Sequence, residues 1–462
     1  MKYDKLTIPF EAMNRILVLV MLVLTISPSY GQTVLDKYIE LGLKNNQQLI
    51  REQLGTQLEQ EKEEEAQGRY LPDVTFNASY IWAEGGRTIN VPAGDLVNPI
   101  YTGLNQILGE NRYPTDIPNV TEQFLPNNFH ETKIRIIQPI LNSRIYYGYK
   151  AQTAQRSAQQ AQQEAYENQL IKEIKTAYYQ HLAAQEQLSI LTDTKDLLEQ
   201  ILRVYQRLVA NDKATPEVIF AAQADVSGIE SQLASARKQV NTSRIFFNYL
   251  LSHDLEEIII MDSTSVDASG MLTTPLGNLQ QQALADRHEL DQVRYGLEAN
   301  KLAVKLNRSY LIPEINAVGD VGYQGFDYTF DDNQDFWFVQ VGLTWPIFQG
   351  GQNRSRIQQA RLSQQQLESE FVDIKQRIAL EVAQAYYDWQ EAQETLEFRQ
   401  DEQQYAQETF RLLGKKYRES QAILVELQEA RTNFTTAQLS EAIARYDLKI
   451  KEAALEAAIN LP

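Results

Sequence analysis

The chain contains no cysteine and only four histidines. A disulfide framework, a thiolate metal site and a lipid anchor on a cysteine behind a leader are thereby excluded. Basic charge is also scarce: 43 Lys and Arg face 61 Asp and Glu, a formal net charge of −18. That balance argues against nucleic acid as a partner, because phosphate binding needs a concentrated basic surface. There is no Gly-Lys-Ser phosphate loop, no His-Glu-x-x-His and no Gly-x-Ser-x-Gly, so no constellation points to an enzyme or a cofactor. The one long apolar run, "ILVLVMLVLTI" at 16–26, is too short to span a bilayer. Arg15 precedes it, and Ser29 and Gly31 follow at the small-residue positions of a cleavage site, so residues 1–31 read as an export signal. Met13 is an alternative start. Removing 1–31, with Lys2, Lys5 and Arg15 against Asp4 and Glu11, takes the charge from −18 to −19.

What is present is written twice. "NNQQL" followed by "YLPDVTFNAS" (45–49, 70–79) returns as "DRHEL" followed by "YLIPEINAVG" (286–290, 310–319). "QPILNSR" (138–144) returns as "WPIFQGG" (345–351), and "TAYYQHLAAQEQL" (176–188) as "QAYYDWQEAQETL" (384–396). A fixed internal repeat means one structural unit used twice. The expected organisation is a first repeat over 32–251 with a strand pair at 72–139, a linker at 252–276, and a second repeat over 277–462 with a strand pair at 313–346.

Within each repeat the period changes from helical to strand-like at one proline and back at another, giving Pro72, Pro139, Pro313 and Pro346 as expected helix–strand swivels. Val74, Phe76, Ala78, Tyr80 and Trp82 alternate with mostly polar residues, and Thr132, Ile134 and Ile136 alternate with Lys133 and Arg135. Ile315, Ala317, Gly319, Val321 and Tyr323 form a weaker face; Trp337, Val339, Val341, Leu343 and Trp345 form the strongest one. The spacing predicts four strands of about ten residues. Trp337 and Trp345 stand about 26 Å apart along a strand at ~3.3 Å per residue, close to a tilted outer-membrane strand with aromatic belts at its ends. Trp82, Trp337 and Trp345 are accordingly the expected interface aromatics.

The remaining sequence predicts very long helices. Steps of four and three from Leu170 through Ile174, Ala177, His181, Ala184, Leu188, Leu191, Lys195, Leu198, Leu202, Tyr205 and Val209 make a heptad seam broken only by His181 and Lys195. Leu367, Phe371, Ile374 and Ile378, then Ala385, Trp389, Ala392 and Leu396, repeat it. Helices from Pro139 to about Asn211 and from Gly351 to about Tyr417 would be roughly 100 Å long at ~1.5 Å per residue. "NDKATPE" (211–217) and "YRESQA" (417–422) predict turns into returning helices. An open four-stranded edge cannot sit in lipid, so a barrel needs several chains; two give eight strands and a filled interior, three give twelve and a pore.

The duplicated order of helix, Leu-Pro, strand pair, Pro-Ile, helix, together with "GLTWPIFQGG" (342–351) and "ARYD" (444–447), resembles the TolC-type outer-membrane efflux proteins over essentially the whole mature length. The resemblance implies a mainly α fold with a membrane β-barrel, four strands per chain completing twelve in a homotrimer above a helical periplasmic tunnel. It also implies a passive exit duct in the Gram-negative outer membrane, for efflux or type I secretion, recruited by a periplasmic adaptor protein and an inner-membrane transporter. By the same resemblance Tyr417 and Ser420 fall at the tunnel-entrance turn, and Glu426 and Glu429 at the positions of an entrance ring. Ser420 and Ala422 depart from the family's glycine and basic residue there. Glu426 and Glu429, three apart, share one helix face, and an ordinary solvated face is the competing reading.

Tyr178, Tyr179, Tyr386 and Tyr387 read as inter-helix packing, and His181 as a seam residue rather than a metal ligand. "DDNQDF" (331–336) imitates a calcium loop but has Phe336 where glycine is needed, so it reads as an exposed strand tip. The proline-rich stretch 83–129 reads as a long extracellular loop. A periplasmic adaptor or a coiled-coil scaffold of an envelope complex is the alternative class; neither accounts for two aromatic-ended strand pairs.

Overall fold

The computed structural model describes residues 33–261, 274–419 and 421–461; the expected signal, residues 262–273 of the linker and Ser420 lie outside them. The elements are α1 (Val34–Asn45), α2 (Gln47–Gly68), β1 (Asp73–Ile81), β2 (Thr88–Val91), α3 (Ala93–Leu108), β3 (Val120–Gln123), β4 (Phe129–Leu141), α4 (Ser143–Ala210) and α5 (Glu217–Leu250). After the linker come α6 (Leu276–Asp286), α7 (His288–Arg308), β5 (Glu314–Phe326), β6 (Asp335–Thr344), α8 (Gln352–Arg418) and α9 (Leu424–Ala458). Helices α4 and α8 run for 68 and 67 residues. Each lacks proline and holds a single glycine, Gly148 or Gly414, and Ala, Gln, Glu, Leu, Lys and Arg predominate among the rest, so nothing breaks the backbone ladder.

The chain divides into two compact units. The first comprises residues up to Thr56, Ala158–Arg294 and from Ser369 onward. Its cores repeat with the sequence. Leu49, Leu170, Ile174, Tyr178 and Phe247 pack together in repeat one, and Leu290, Ile378, Val382, Trp389 and Leu455 in repeat two. The heptad seam continues down α4 as Leu191 and Leu198 against Ile229, Leu233 and Ala236 of α5. Both departures from that seam are satisfied: His181 Nδ1 meets Ser243 Oγ at 2.9 Å, and Lys195 pairs with Glu230 at 2.8 Å. The duplication also extends to buried polar groups. Asn46, between α1 and α2, donates to the carbonyl of Leu250 at 2.9 Å. Arg287, between α6 and α7, donates to that of Ala458 at 3.1 Å. Each ties the start of its repeat to its last helix, filling carbonyl valences that a helix end leaves open.

The second unit comprises Gln57–Ser157 and Tyr295–Glu368. It holds a four-stranded antiparallel sheet in the order β1-β4-β5-β6, so each repeat supplies one strand pair and the repeats meet at β4–β5. Two of the expected swivels lie elsewhere than predicted. Pro139 is inside β4, at an irregularity in its register with β5, a place where a missing N–H is tolerated. The change to helix comes at Asn142, whose Oδ1 accepts from the N–H groups of Arg144 and Ile145 at 3.1 and 3.3 Å. Pro346 follows the end of β6 at Thr344, in an irregular stretch that leads to Gly350 and Gly351, both at positive φ, before α8 begins. Pro72 and Pro313 directly precede β1 and β5.

The stretch 83–129 is also more than a loop. It contains α3 and the antiparallel pair β2–β3. Asn98 exchanges both side-chain hydrogen bonds with the backbone of Ile117 at 2.9 Å. Asn105 donates to the Tyr113 carbonyl at 2.7 Å and accepts from the Arg112 and Tyr113 amides. Five prolines suggested irregular chain; only Pro99 falls within 93–108, where the apolar residues keep helical spacing.

Candidate functional site

Register turns the alternation of the strands into two faces. Directly paired residues run Phe76, Ile134, Val321, Trp337 across all four strands, and beside them Val74, Ile136, Gly319, Val339. Phe76 is 71% exposed and Trp337 77%, a continuous apolar face open to solvent in the single chain. Trp345 and Trp82 lie just beyond β6 and β1, both exposed. The other face runs Thr75, Arg135, Asp320, Phe338 and Asn77, Lys133, Gly322, Phe336. Here Arg135 grips Asp320 with two hydrogen bonds of 2.8 and 2.7 Å. Lys133 stands 3.3 Å from Asp320 and 2.6 Å from Glu131. A Cβ on Gly322 would meet the Thr132 carbonyl oxygen at 2.1 Å, so only glycine lets the strands and the Lys133 stem come this close. Asp320 is almost fully buried under its two cations. Sequence reading placed Lys133 and Arg135 on the polar face but missed their partner; an acid at the matching parity of the next strand was the available signal.

Among the described residues no helix is long and apolar enough to cross a membrane. The sheet is the element whose surface suits lipid.

At the turns of the long helices, α9 begins with Glu426 in its first turn, where its carboxylate accepts from the Ile423 N–H at 3.0 Å. Negative charge at a helix N-terminus is favourable. Glu429, one turn later, is exposed like Glu426, so the two carboxylates do share an open face. Behind them lies a cluster that sequence reading missed. Arg431 is buried and reaches Asp225 of α5 at 3.1 Å, and Gln428 approaches the same carboxylate at 3.5 Å. Tyr205 of α4 is buried nearby; burial and its hydrogen bond to Tyr417 of α8 push its phenol far above the ordinary range. Tyr417 therefore joins the ends of α8 and α4, while Arg431 joins α9 to α5. Ser420 lies outside the described residues.

The other residues singled out by sequence take structural places. Tyr178 and Tyr179 are buried and Tyr386 half-buried, but Tyr387 remains 60% exposed. Asp331 caps the β5–β6 turn by accepting from the Asn333 N–H at 2.9 Å.

Comparison with known proteins agrees with this architecture. Residues 279–461 match the family model described as outer membrane efflux protein. The match spans about two fifths of the chain, within its second repeat. A probable efflux pump outer membrane protein, TtgC of Pseudomonas putida, is 21% identical over 281 residues, 58% of this chain and 56% of that protein. The chain thus aligns with little more than half the length of this relative. The multidrug resistance outer membrane protein MdtP of Shigella flexneri is 24% identical over 190 residues, 40% of this chain and 38% of that protein. Among solved structures, the outer-membrane channel OprN superposes with a TM-score of 0.76 at 16% identity, covering 93% of this chain and 90% of that one. The Campylobacter jejuni CmeC outer membrane channel gives 0.74 at 16% identity, covering 92% and 85%. The fold is that of these outer-membrane channels.

Proposed function

We propose that the protein is the passive outer-membrane exit duct of a tripartite efflux or type I secretion system, working as a homotrimer with a periplasmic adaptor and an inner-membrane transporter. The observation that carries this reading is the sheet: four strands with free edges at β1 and β6 and one apolar, aromatic-ended face. Free edges in lipid leave backbone groups without partners, so β1 of one copy must pair with β6 of another. Three copies give twelve strands around a pore, lined by the polar face that carries Arg135 and Asp320. Glu426 and Glu429 of three chains set six carboxylates around the entrance of a helical tunnel, a cation-attracting ring. The names of the relatives, an efflux pump component and a multidrug resistance protein, favour small solutes as cargo.

Two measurements test this. The detergent-extracted complex should have the mass of three chains. In a planar bilayer the purified channel should prefer cations and be blocked by multivalent cations from the helical side, and Glu426→Gln with Glu429→Gln should remove both properties while the trimer persists. Gln keeps an acceptor for the Ile423 amide, so the turn should survive. A soluble monomer would defeat the channel reading; unchanged selectivity in the double variant would return both residues to an ordinary solvated face.

A further inference from the structure

The module between β1 and β4 presents helix α3 with two dissimilar faces. One face is fastened to its own module: Gly94, Asn98, Tyr101 and Asn105 lie on it, and a Cβ on Gly94 would meet the Ile117 carbonyl oxygen at 2.0 Å. The two asparagines clamp the backbone of Ile117 and Tyr113, and the Tyr101 and Tyr113 rings are 5.2 Å apart. The other face carries Val97, Ile100, Leu104 and Ile107, spaced three, four and three, with Leu96 and Leu108 on its flanks. Leu96, Ile100 and Ile107 are 66, 60 and 82% exposed. Large apolar residues so open to water on a rigidly held helix point to a partner that the single chain does not contain.

The spacing identifies that partner. Three-four-three is the seam of a coiled coil, with Val97 and Leu104 at the a positions and Ile100 and Ile107 at the d positions. β-branched isoleucine at d disfavours two-stranded coils, and leucine at a with isoleucine at d favours three or four strands. The helix carries one charge, Asp95, so identical copies do not repel along the seam, and no basic residue is present to seek anionic lipid headgroups. Topology supplies the copies. Ile81, the last residue of the free-edged strand β1, pairs with Phe129, and Phe129 with Phe326, so the module stands at the end of the sheet where β5 turns into β6. Closing the sheet with further copies places every module on the same rim of one barrel.

We infer that the α3 helices of three copies pack along this seam as a parallel three-helix bundle that closes the external mouth of the barrel with an apolar plug. The inference rests on the trimeric channel reading. Two heptads are too short to associate alone. Here the helices are already folded and are tethered to one rim, which raises their effective concentration. The plug acts as a hydrophobic constriction: ions and water pass only when the helices part.

The absence of cysteine makes the test direct. Ile107→Cys and Ile100→Cys, each introduced singly into the full chain in outer membranes, should form inter-chain disulfides under mild oxidation, because equivalent seam positions of a parallel trimer face one another. Thr102→Cys, on the opposite side of the helix, should not. In bilayers, Ile100→Asn with Ile107→Asn should raise the single-channel conductance several-fold, and cells carrying it should become sensitive to a large hydrophilic antibiotic. A complex of trimeric mass in which neither seam cysteine cross-links overturns the plug and leaves the channel reading standing. Labelling of Ile107→Cys by a lipid-embedded probe in place of cross-linking overturns it in favour of a membrane-lying helix. A complex that is not a trimer by mass overturns both.

Discussion

At the scale of single residues, the two buried charged or titratable groups with the clearest consequences are Asp320 and His181. Asp320 is the common anion of Arg135 and Lys133, and it joins β4 to β5, hence one repeat to the other. Asp320→Asn keeps the shape and leaves two cations facing each other without their anion. Removing one partner of a fully buried pair costs about 3–5 kcal/mol; with Arg135 partly exposed, a loss of roughly 2 kcal/mol is expected, read as a lower dissociation temperature of the complex on semi-native gels. An unchanged temperature would mean that the polar face does not hold the repeats together. His181 is 2% exposed, and burial, with Arg244 nearby, lowers its pKa from 6.5 to about 4. Above 6.5 the ring is neutral both folded and unfolded. Between 6.5 and about 4 the unfolded chain binds a proton that the folded chain excludes, so stability falls as pH falls through this window and levels off below it. The full effect is about 3 kcal/mol per chain. His181→Gln, which can still hydrogen-bond to Ser243, should flatten the thermal-stability profile across that window; a variant as pH-dependent as the parent would place the acid sensitivity elsewhere.

At the scale of elements, the strands make the sharpest claim, because a period of two assigns every side chain to lipid or lumen. Val341 and Gln340 are neighbours in β6 on opposite faces. Val341→Lys should cost roughly 2–4 kcal/mol near the bilayer midplane and deplete the protein from outer-membrane fractions, whereas Gln340→Lys should assemble normally. Equal assembly of the two variants would mean that the apolar face is not turned to lipid. These faces were legible in the sequence because alternation needs no knowledge of neighbours; the long helices were legible because seams such as Leu170–Ile174–Ala177 repeat without a breaker. What escaped depends on pairing between distant segments. Asp320 meets Arg135 across 185 positions, and Arg431 meets Asp225 across 206, with nothing local to announce either. Proline misled in both directions: Pro139 was absorbed at a register irregularity inside β4, and the prolines of 83–129 hid a helix whose fold is fixed by the side chains of Asn98 and Asn105.

At the scale of the whole molecule, the duplication predicts the subunit interface. The Tyr-Tyr pairs at 178 and 386 set an offset of 208 positions between α4 and α8, and the helix ends at Leu250 and Ala458 set the same offset between α5 and α9. Within one chain α4 of repeat one meets α9 of repeat two: Arg445 reaches Glu186 at 2.8 Å and Lys175 reaches Glu456 at 2.9 Å. In a closed ring, α8 of each chain must meet α5 of the next in the same manner. The exposure pattern agrees, for Tyr179 is 8% exposed beside α9, while its counterpart Tyr387 is 60% exposed, and Leu380, Phe398 and Tyr405 of α8 are open as well. Transferring the Arg445–Glu186 pair by the offset gives Arg237 of one chain against Glu394 of its neighbour, both exposed in the single chain. A partly buried interfacial pair of this kind contributes about 1 kcal/mol per interface, repeated three times in the proposed trimer. Arg237→Glu and Glu394→Arg should each lower the temperature at which the trimer dissociates, and the combined charge reversal should recover most of that loss. Recovery distinguishes a direct pair from two independent surface changes, whose effects would simply add; additive loss in the doubly reversed protein would show that the ring does not repeat between chains the contact made within one.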